Sequence, residues 1–221
     1  MTIDGRDRAD VVSAIERAGV VAVIRLKDAA VLAGVVDALV AGGVQVLEIT
    51  MTVPGAVELI RDLGPKLPSG FLLGAGTVTD AATAHAVIDA GAAFVVSPVL
   101  RLDVIHACNE RSVAALPGCF SPTEILAAWQ AGADIVKVFP ATALGPGFFK
   151  DLRGPMPQVK LMPTGGVSID NAGDWIRAGA VAVGVGGALL DAAAIAAGNF
   201  GVLTANAKRI VANVQAAWKD R

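Results

Sequence analysis

Cysteine and histidine are scarce in this chain, with two of each among 221 residues: Cys108, Cys119, His85 and His106. None of the four stands at a spacing that metal ligands use, so no metal site is expected. Two thiols outside any cysteine framework are expected to be free, Cys108 in a helix-like segment and Cys119 in a loop. Charge is thin as well, at 17% of residues, and balanced to a net −2. Lys and Arg form no basic stripe, which removes the footprint a nucleic-acid partner would need. Long apolar runs are also missing. Hydrophobic residues make up 54% of the sequence, yet each run stops at Gly, Pro or a charge, short of the roughly 18 that a membrane span requires. Residues 1–10 are charged and lack the apolar centre of a secretory signal, so the cytoplasm is the expected compartment. Together these absences predict one densely packed domain over residues 1–221, with no membrane or nucleic-acid partner.

Short β-branched or apolar runs do recur, at 20–25, 46–50, 72–78, 94–98, 114–117, 135–140, 161–165 and 181–186. Ala-rich amphipathic segments such as 29–41, 81–90 and 122–131 lie between them. Several end alike, in Ala41-Gly42-Gly43, Ala90-Gly91-Ala92, Ala131-Gly132-Ala133 and Ala178-Gly179-Ala180. Glycine just past a helix tolerates the positive φ of a helix stop. Strands alternating with helices in this way predict an α/β fold, a closed (β/α)8 TIM barrel, with an extra N-terminal helix before Val20 and a last helix over 200–219. A doubly wound open sheet is the competing architecture, but no G-x-G-x-x-G turn opens a helix.

Active sites of such barrels sit at the C-terminal strand ends, so polar residues inside strands or just past them carry the information. Lys137 stands alone as a charge in Ile135-Val136-Lys137-Val138-Phe139-Pro140 and shares a face with Ile135 and Phe139. Burial disfavours an ammonium, and a neutral amine is the form that attacks a carbonyl. A structural lysine, paired with a carboxylate or snorkelling to the rim, is the alternative. Glu48, in Val46-Leu47-Glu48-Ile49-Thr50, is the second charge inside a strand, either a general base or the neutralising partner of Lys137 or Arg25. Arg25 closes the first run, where its fork suits an anionic substrate group or a surface ion pair equally. Glycine-rich segments follow the seventh and eighth runs, Pro163-Thr164-Gly165-Gly166-Val167-Ser168 and Val183-Gly184-Val185-Gly186-Gly187-Ala188. Loops of this kind cradle phosphate with backbone N–H groups. Gly74-Ala75-Gly76-Thr77 adds close backbone approach and a hydroxyl. His85, His106, Trp129, Trp175 and Trp218 fall in helical segments and read as packing residues.

Taken in order, Leu47-Glu48-Ile49-Thr50, Gly74-Ala75-Gly76-Thr77-Val78, Val96-Ser97-Pro98, Pro117-Gly118, Ser121-Pro122-Thr123-Glu124, Val136-Lys137-Val138-Phe139-Pro140 and Pro163-Thr164-Gly165-Gly166-Val167 resemble the 2-keto-3-deoxy-6-phosphogluconate (KDPG) and 4-hydroxy-2-oxoglutarate aldolases, class I enzymes. The resemblance runs from about Val20 to Ala188. It implies a Schiff base on Lys137, acid/base catalysis by Glu48, and a pyruvyl carboxylate held by Arg25 and Thr77. It also implies that Pro98 and Phe139 shape the pocket, that Thr164, Gly165, Gly166 and Gly186 lie near a distal phosphate, and that no cofactor is needed. Implied partners are a 2-keto acid and an aldehyde, with the chain assembled as a homotrimer. Two positions depart from the family pattern. No Arg follows Glu48 in Thr50-Met51-Thr52-Val53-Pro54, and Gly187 stands where members often carry Ser, leaving a backbone donor there. A phosphosugar isomerase or epimerase barrel, or a barrel serving only as an assembly module, are the alternative readings.

Overall fold

Nine short strands, β1 (Val20–Ile24), β2 (Val46–Thr50), β3 (Leu72–Gly76), β4 (Phe94–Val96), β5 (Ala114–Leu116), β6 (Gly118–Cys119), β7 (Val136–Val138), β8 (Leu161–Pro163) and β9 (Val183–Val185), are assigned among the described residues of this computed structural model. The described residues are 7–220; Met1 to Arg6, part of the charged stretch expected to lack a signal, and Arg221 lie outside them. Every strand is buried along its whole length, as strands covered on both faces must be. All pairings are parallel, in a six-stranded arc ordered β5-β4-β3-β2-β1-β9 and a three-stranded arc ordered β6-β7-β8.

The arcs meet at two seams. At one, the Pro117 carbonyl between β5 and β6 accepts from Lys137 N–H at 2.9 Å. Proline lacks the N–H that would continue the ladder, and Pro117, the last residue of the fifth run, separates β5 from β6. Cys119, expected in a loop, therefore belongs to β6 and pairs with Val138. At the other seam Thr164 and Gly184 form a parallel bridge, and Val181 N–H donates to Leu161 O at 2.9 Å. The result is an α/β fold with a parallel, curled sheet.

Helices α1 (Arg8–Ala18), α2 (Leu32–Ala41), α3 (Ala56–Leu63), α4 (Ala81–Asp89), α5 (Leu102–Glu110), α6 (Pro122–Gln130), α7 (Gly145–Arg153), α8 (Ala172–Arg177), α9 (Ala192–Ala196) and α10 (Phe200–Lys219) alternate with the strands. Their starts are written locally. Ser121 and Glu124 form a reciprocal capping box at α6, with Pro122 at its first position, and the Asp80 carboxylate accepts from Thr83 N–H at α4. His85 lies in α4, His106 in α5, and the three tryptophans in α6, α8 and α10. No helix among the described residues is long and apolar enough to cross a membrane.

Strand parity sorts the core into two clusters. Leu47, Ile49, Leu73, Ala75, Val95, Val136, Val138, Val183 and Val185 point outward into the helices. Val21, Val46, Leu72, Phe94, Ala114, Ile135 and Met162 point inward and pack on Val11, Val12 and Ile15 of α1. That helix lies across the N-terminal strand ends. It is stapled by Arg8, which donates to Asp134 (2.8–3.0 Å) and to Gly132 O (2.7 Å), while Asp134 also accepts from Ala115 N–H at 2.8 Å.

Candidate active site

The inner parity continues past the apolar layer. Two residues beyond Val46 comes Glu48, and two beyond Ile135 comes Lys137, so both charges face inward from strands on different arcs. Both are buried, with relative exposures of 1% and 5%. Glu48 pairs in register with Val23 and Gly74, and Lys137 with Gly118 and Met162.

Neither Glu48 oxygen has a hydrogen-bond partner among the described residues. Burial pushes its carboxyl above the ordinary carboxylate range, against the opposing pull of the Lys137 and Arg25 charges. Lys137 forms no salt bridge among the described residues, and its Nζ lies 5.1 Å from the centroid of the Phe139 ring. The room for Glu48 comes from Gly76, the next inward position on β3 after Gly74. A Cβ there would overlap Glu48 Oε1. Gly118 makes similar room beside Lys137, where a Cβ would overlap the Pro98 carbonyl.

Around this pair the remaining expected residues form the rim. Arg25 follows β1, exposed and without an ion pair among the described residues. Thr77 follows β3 at φ 59°, a left-handed conformation costly for a β-branched residue. Pro98 and Phe139 are half-buried just past β4 and β7. Thr164 is 7% exposed, and its hydroxyl has no partner and presses on Gly184. Gly165 and Gly166 follow at φ 84° and 77°. After β9, Gly186 O receives Leu189 and Leu190 N–H in a tight turn, which leaves Gly187 and Ala188 at its outer edge. The N–H groups of Gly166, Gly187 and Ala188 find no acceptor among the described residues. The site thus holds a buried amine, a buried unpaired carboxyl, one guanidinium outside any ion pair and a backbone nest, a set suited to carbonyl chemistry on an anionic molecule.

Three residues were not named individually by sequence. Gly76, in a segment expected to allow close backbone approach, counts for the space it leaves to Glu48. Thr50, two residues beyond Glu48, donates from its hydroxyl to Ile24 O at 3.0 Å. Its one proton is thereby spent, so the 2.7 Å contact with Thr52 is a donation from Thr52. Thr142, in a short 3-10 turn after β7 (Ala141–Ala143), lies against the Gly165-Gly166 turn. The two thiols are free and buried, and burial pushes each up to about 12. Among the described residues no group of His, Cys, Asp and Glu could hold a metal ion. A separate groove of about 700 Å³, lined by residues including Asp10, Arg17, Pro65, Leu67 and Ala93, contains neither of the buried charges.

A 2-dehydro-3-deoxy-phosphogluconate aldolase from Pseudoalteromonas atlantica is 34% identical over 194 residues, covering 87% of this chain and 90% of its own. The KDPG aldolase of Legionella pneumophila, solved with pyruvate captured as a covalent carbinolamine, superimposes with a TM-score of 0.83 at 30% identity, covering 90% of this chain and 97% of its own. The Zymomonas mobilis enzyme, solved with 3-phosphoglycerate, gives 0.81 at 31% identity over 93% of this chain and 96% of its own. The family model for KDPG and KHG aldolases matches residues 11–205. A buried lysine and carboxyl on a curled parallel sheet, together with these likenesses, establish that the chain belongs to the KDPG and KHG aldolase family of carbon–carbon lyases.

Proposed function

We propose that the chain cleaves 2-keto-3-deoxy-6-phosphogluconate, or a related 4-hydroxy-2-keto acid, to pyruvate and an aldehyde through a Schiff base on Lys137. The observation that carries this reading is the pairing of a buried lysine that forms no salt bridge with a buried carboxyl that has no hydrogen-bond partner. The pyruvate carbinolamine of the Legionella relative supports the same chemistry.

The Lys137 amine attacks the C2 ketone, and loss of water gives an iminium. Glu48 takes the C4 hydroxyl proton. The C4–O pair closes to an aldehyde, the C3–C4 bond breaks, and its electrons neutralise the iminium nitrogen as an enamine. The aldehyde leaves. Protonation at C3 restores the iminium, and water releases pyruvate and the amine. Burial, which holds the Glu48 carboxyl above its ordinary range, makes its carboxylate a stronger proton acceptor than one in water. Arg25 and Thr77 hold the pyruvyl carboxylate. Pro98 and Phe139 bound the pocket, and Phe139 keeps a ring face near the amine. Thr164, Gly165, Gly166, Gly186 and Gly187 receive the distal phosphate, supported by the free N–H groups of Gly166, Gly187 and Ala188.

The two arcs act as one closed (β/α)8 barrel with α1 as its extra N-terminal helix, a single domain over 1–221. The seam bonds at Pro117 and Thr164 support closure. The enzyme works in the cytoplasm as a homotrimer. Exposed Val99, Leu102, Phe120 and Leu126 supply apolar surface for the assembly, and free thiols suit a reducing compartment. Borohydride reduction with pyruvate, followed by peptide mass mapping, tests the chemistry. An adduct on Lys137 is expected. Adduct on another lysine moves the site, and folded protein without adduct removes the Schiff-base reading.

A further inference from the structure

The cradle proposed for the distal phosphate has an uneven supply of donors. Gly187 contributes no side chain, and a Cβ there would meet nothing within 4 Å, so that side of the cradle is open. On the facing side, Ala141 N–H donates to Thr164 O at 2.9 Å, which draws the segment after β7 onto the glycine turn after β8. Thr142 comes next. A Cβ on Gly166 would lie 2.9 Å from both Thr142 Cα and Thr142 Oγ1, and one on Gly165 would lie 3.5 Å from that same oxygen. Thr142 is exposed, and its hydroxyl makes no hydrogen bond among the described residues. A free hydroxyl therefore stands beside a free N–H, that of Gly166, at a turn with two successive positive φ values. Turns of this kind aim backbone N–H groups at anions.

We propose that the Thr142 hydroxyl donates a hydrogen bond to the distal anionic group of the substrate, a phosphate monoester. Resting on the assignment of this cradle to the distal phosphate, the contact makes Thr142 a specificity-determining residue for phosphorylated over unphosphorylated substrates. It supplies from the β7 side the hydroxyl that Gly187 lacks. The glycines at 165 and 166 have a second role in this arrangement, since a side chain at 166 would displace Thr142 from the cradle.

The test uses the full chain with inorganic phosphate as probe, titrated calorimetrically into wild type, Thr142→Val and Thr142→Ser. A hydrogen bond to a charged group makes the expected loss in Thr142→Val at least about tenfold in phosphate affinity, with Thr142→Ser near wild type. In parallel, Thr142→Val is expected to lower kcat/KM for the 6-phosphorylated aldol by a similar factor and to leave that for its unphosphorylated counterpart unchanged. Equal phosphate binding by all three proteins overturns the proposal. So does a Thr142→Ser variant as weak as Thr142→Val, because the methyl group and not the hydroxyl would then matter, and so does a wild type that binds no phosphate. Pyruvate trapping by borohydride on the same samples reads the lysine chemistry separately: its absence in wild type removes the aldolase mechanism without altering the phosphate comparison.

Discussion

The Glu48 carboxyl occupies the volume that a side chain on Gly76 would fill, with its Cδ only 2.5 Å from the position of a Gly76 Cβ. β3 thus shapes the setting of the proposed general base on β2 by omission. Gly76→Ala is expected to displace Glu48, lowering kcat by about 10²-fold, the scale of a misplaced acid/base group. Pyruvate-dependent borohydride labelling of Lys137 should persist. Gly64→Ala is the control, since a Cβ there meets nothing and its φ of −48° suits alanine. Steady-state kinetics decide, and equal activity in both variants would show that Glu48 does not need this space.

Burial holds the Glu48 carboxyl above its ordinary value of 4.5. Folding therefore favours the neutral form, so the contribution to stability is complete below 4.5 and is lost as pH rises through the folded-state value. Glu48→Gln stays neutral throughout. Thermal melts should find it more stable than wild type at about pH 8, with the gap closing as pH falls toward about 4. A gap that widens toward acid would mean that the folded protein favours the ionised carboxylate.

Thr77 adopts φ 59°, which costs a β-branched residue about 1–3 kcal/mol. Thr77→Gly removes that cost and adds unfolded-state entropy of about 0.5–1 kcal/mol in the other direction. Denaturant titration should therefore show wild-type stability or better. Because the hydroxyl is lost from the rim, KM for the keto acid should rise several-fold. A large loss of stability would mean that Thr77 is a structural residue and not one held in strain for binding.

Arg8 and Asp134 staple α1 to the start of β7, but their losses are unequal. Arg8→Ala removes one partly exposed ion pair and an exposed bond to Gly132 O, which water can replace, together worth about 1 kcal/mol. Asp134→Ala also orphans the N–H of Ala115, which is 1% exposed, and should cost about 2–3 kcal/mol. Chemical denaturation ranks the two, and the reverse order would assign the staple's value to Arg8.

Much of the site was legible because charge inside a β-branched run is expensive and therefore conspicuous. Lys137 and Glu48 stood out on that ground alone, and parity fixed the face they share. Helix punctuation was equally plain, and the segment 200–219 matches α10 (Phe200–Lys219). Strand ends were less plain. The run 135–140 contains only three residues in ladder geometry, Val136–Val138, with Ile135 before them and Phe139 and Pro140 past the strand end. The break at Pro117 follows from proline chemistry, and the fifth run stops there, but the two-residue strand beyond it, Gly118–Cys119, carries no β-branched signal. The contact of Gly76 with Glu48, where only close backbone approach was expected, and the role of Thr142 were beyond reach for a different reason. Their roles depend on what the next strand or loop places against them, and sequence neighbours carry no trace of that.

Helix α1 packs Val11, Val12 and Ile15 against the lowest inward layer of the sheet, and that contact is dry and apolar. It works as a floor. On the chemistry proposed above, the rim where Arg25, Thr77 and Phe139 stand is then the side left for substrate and water to enter.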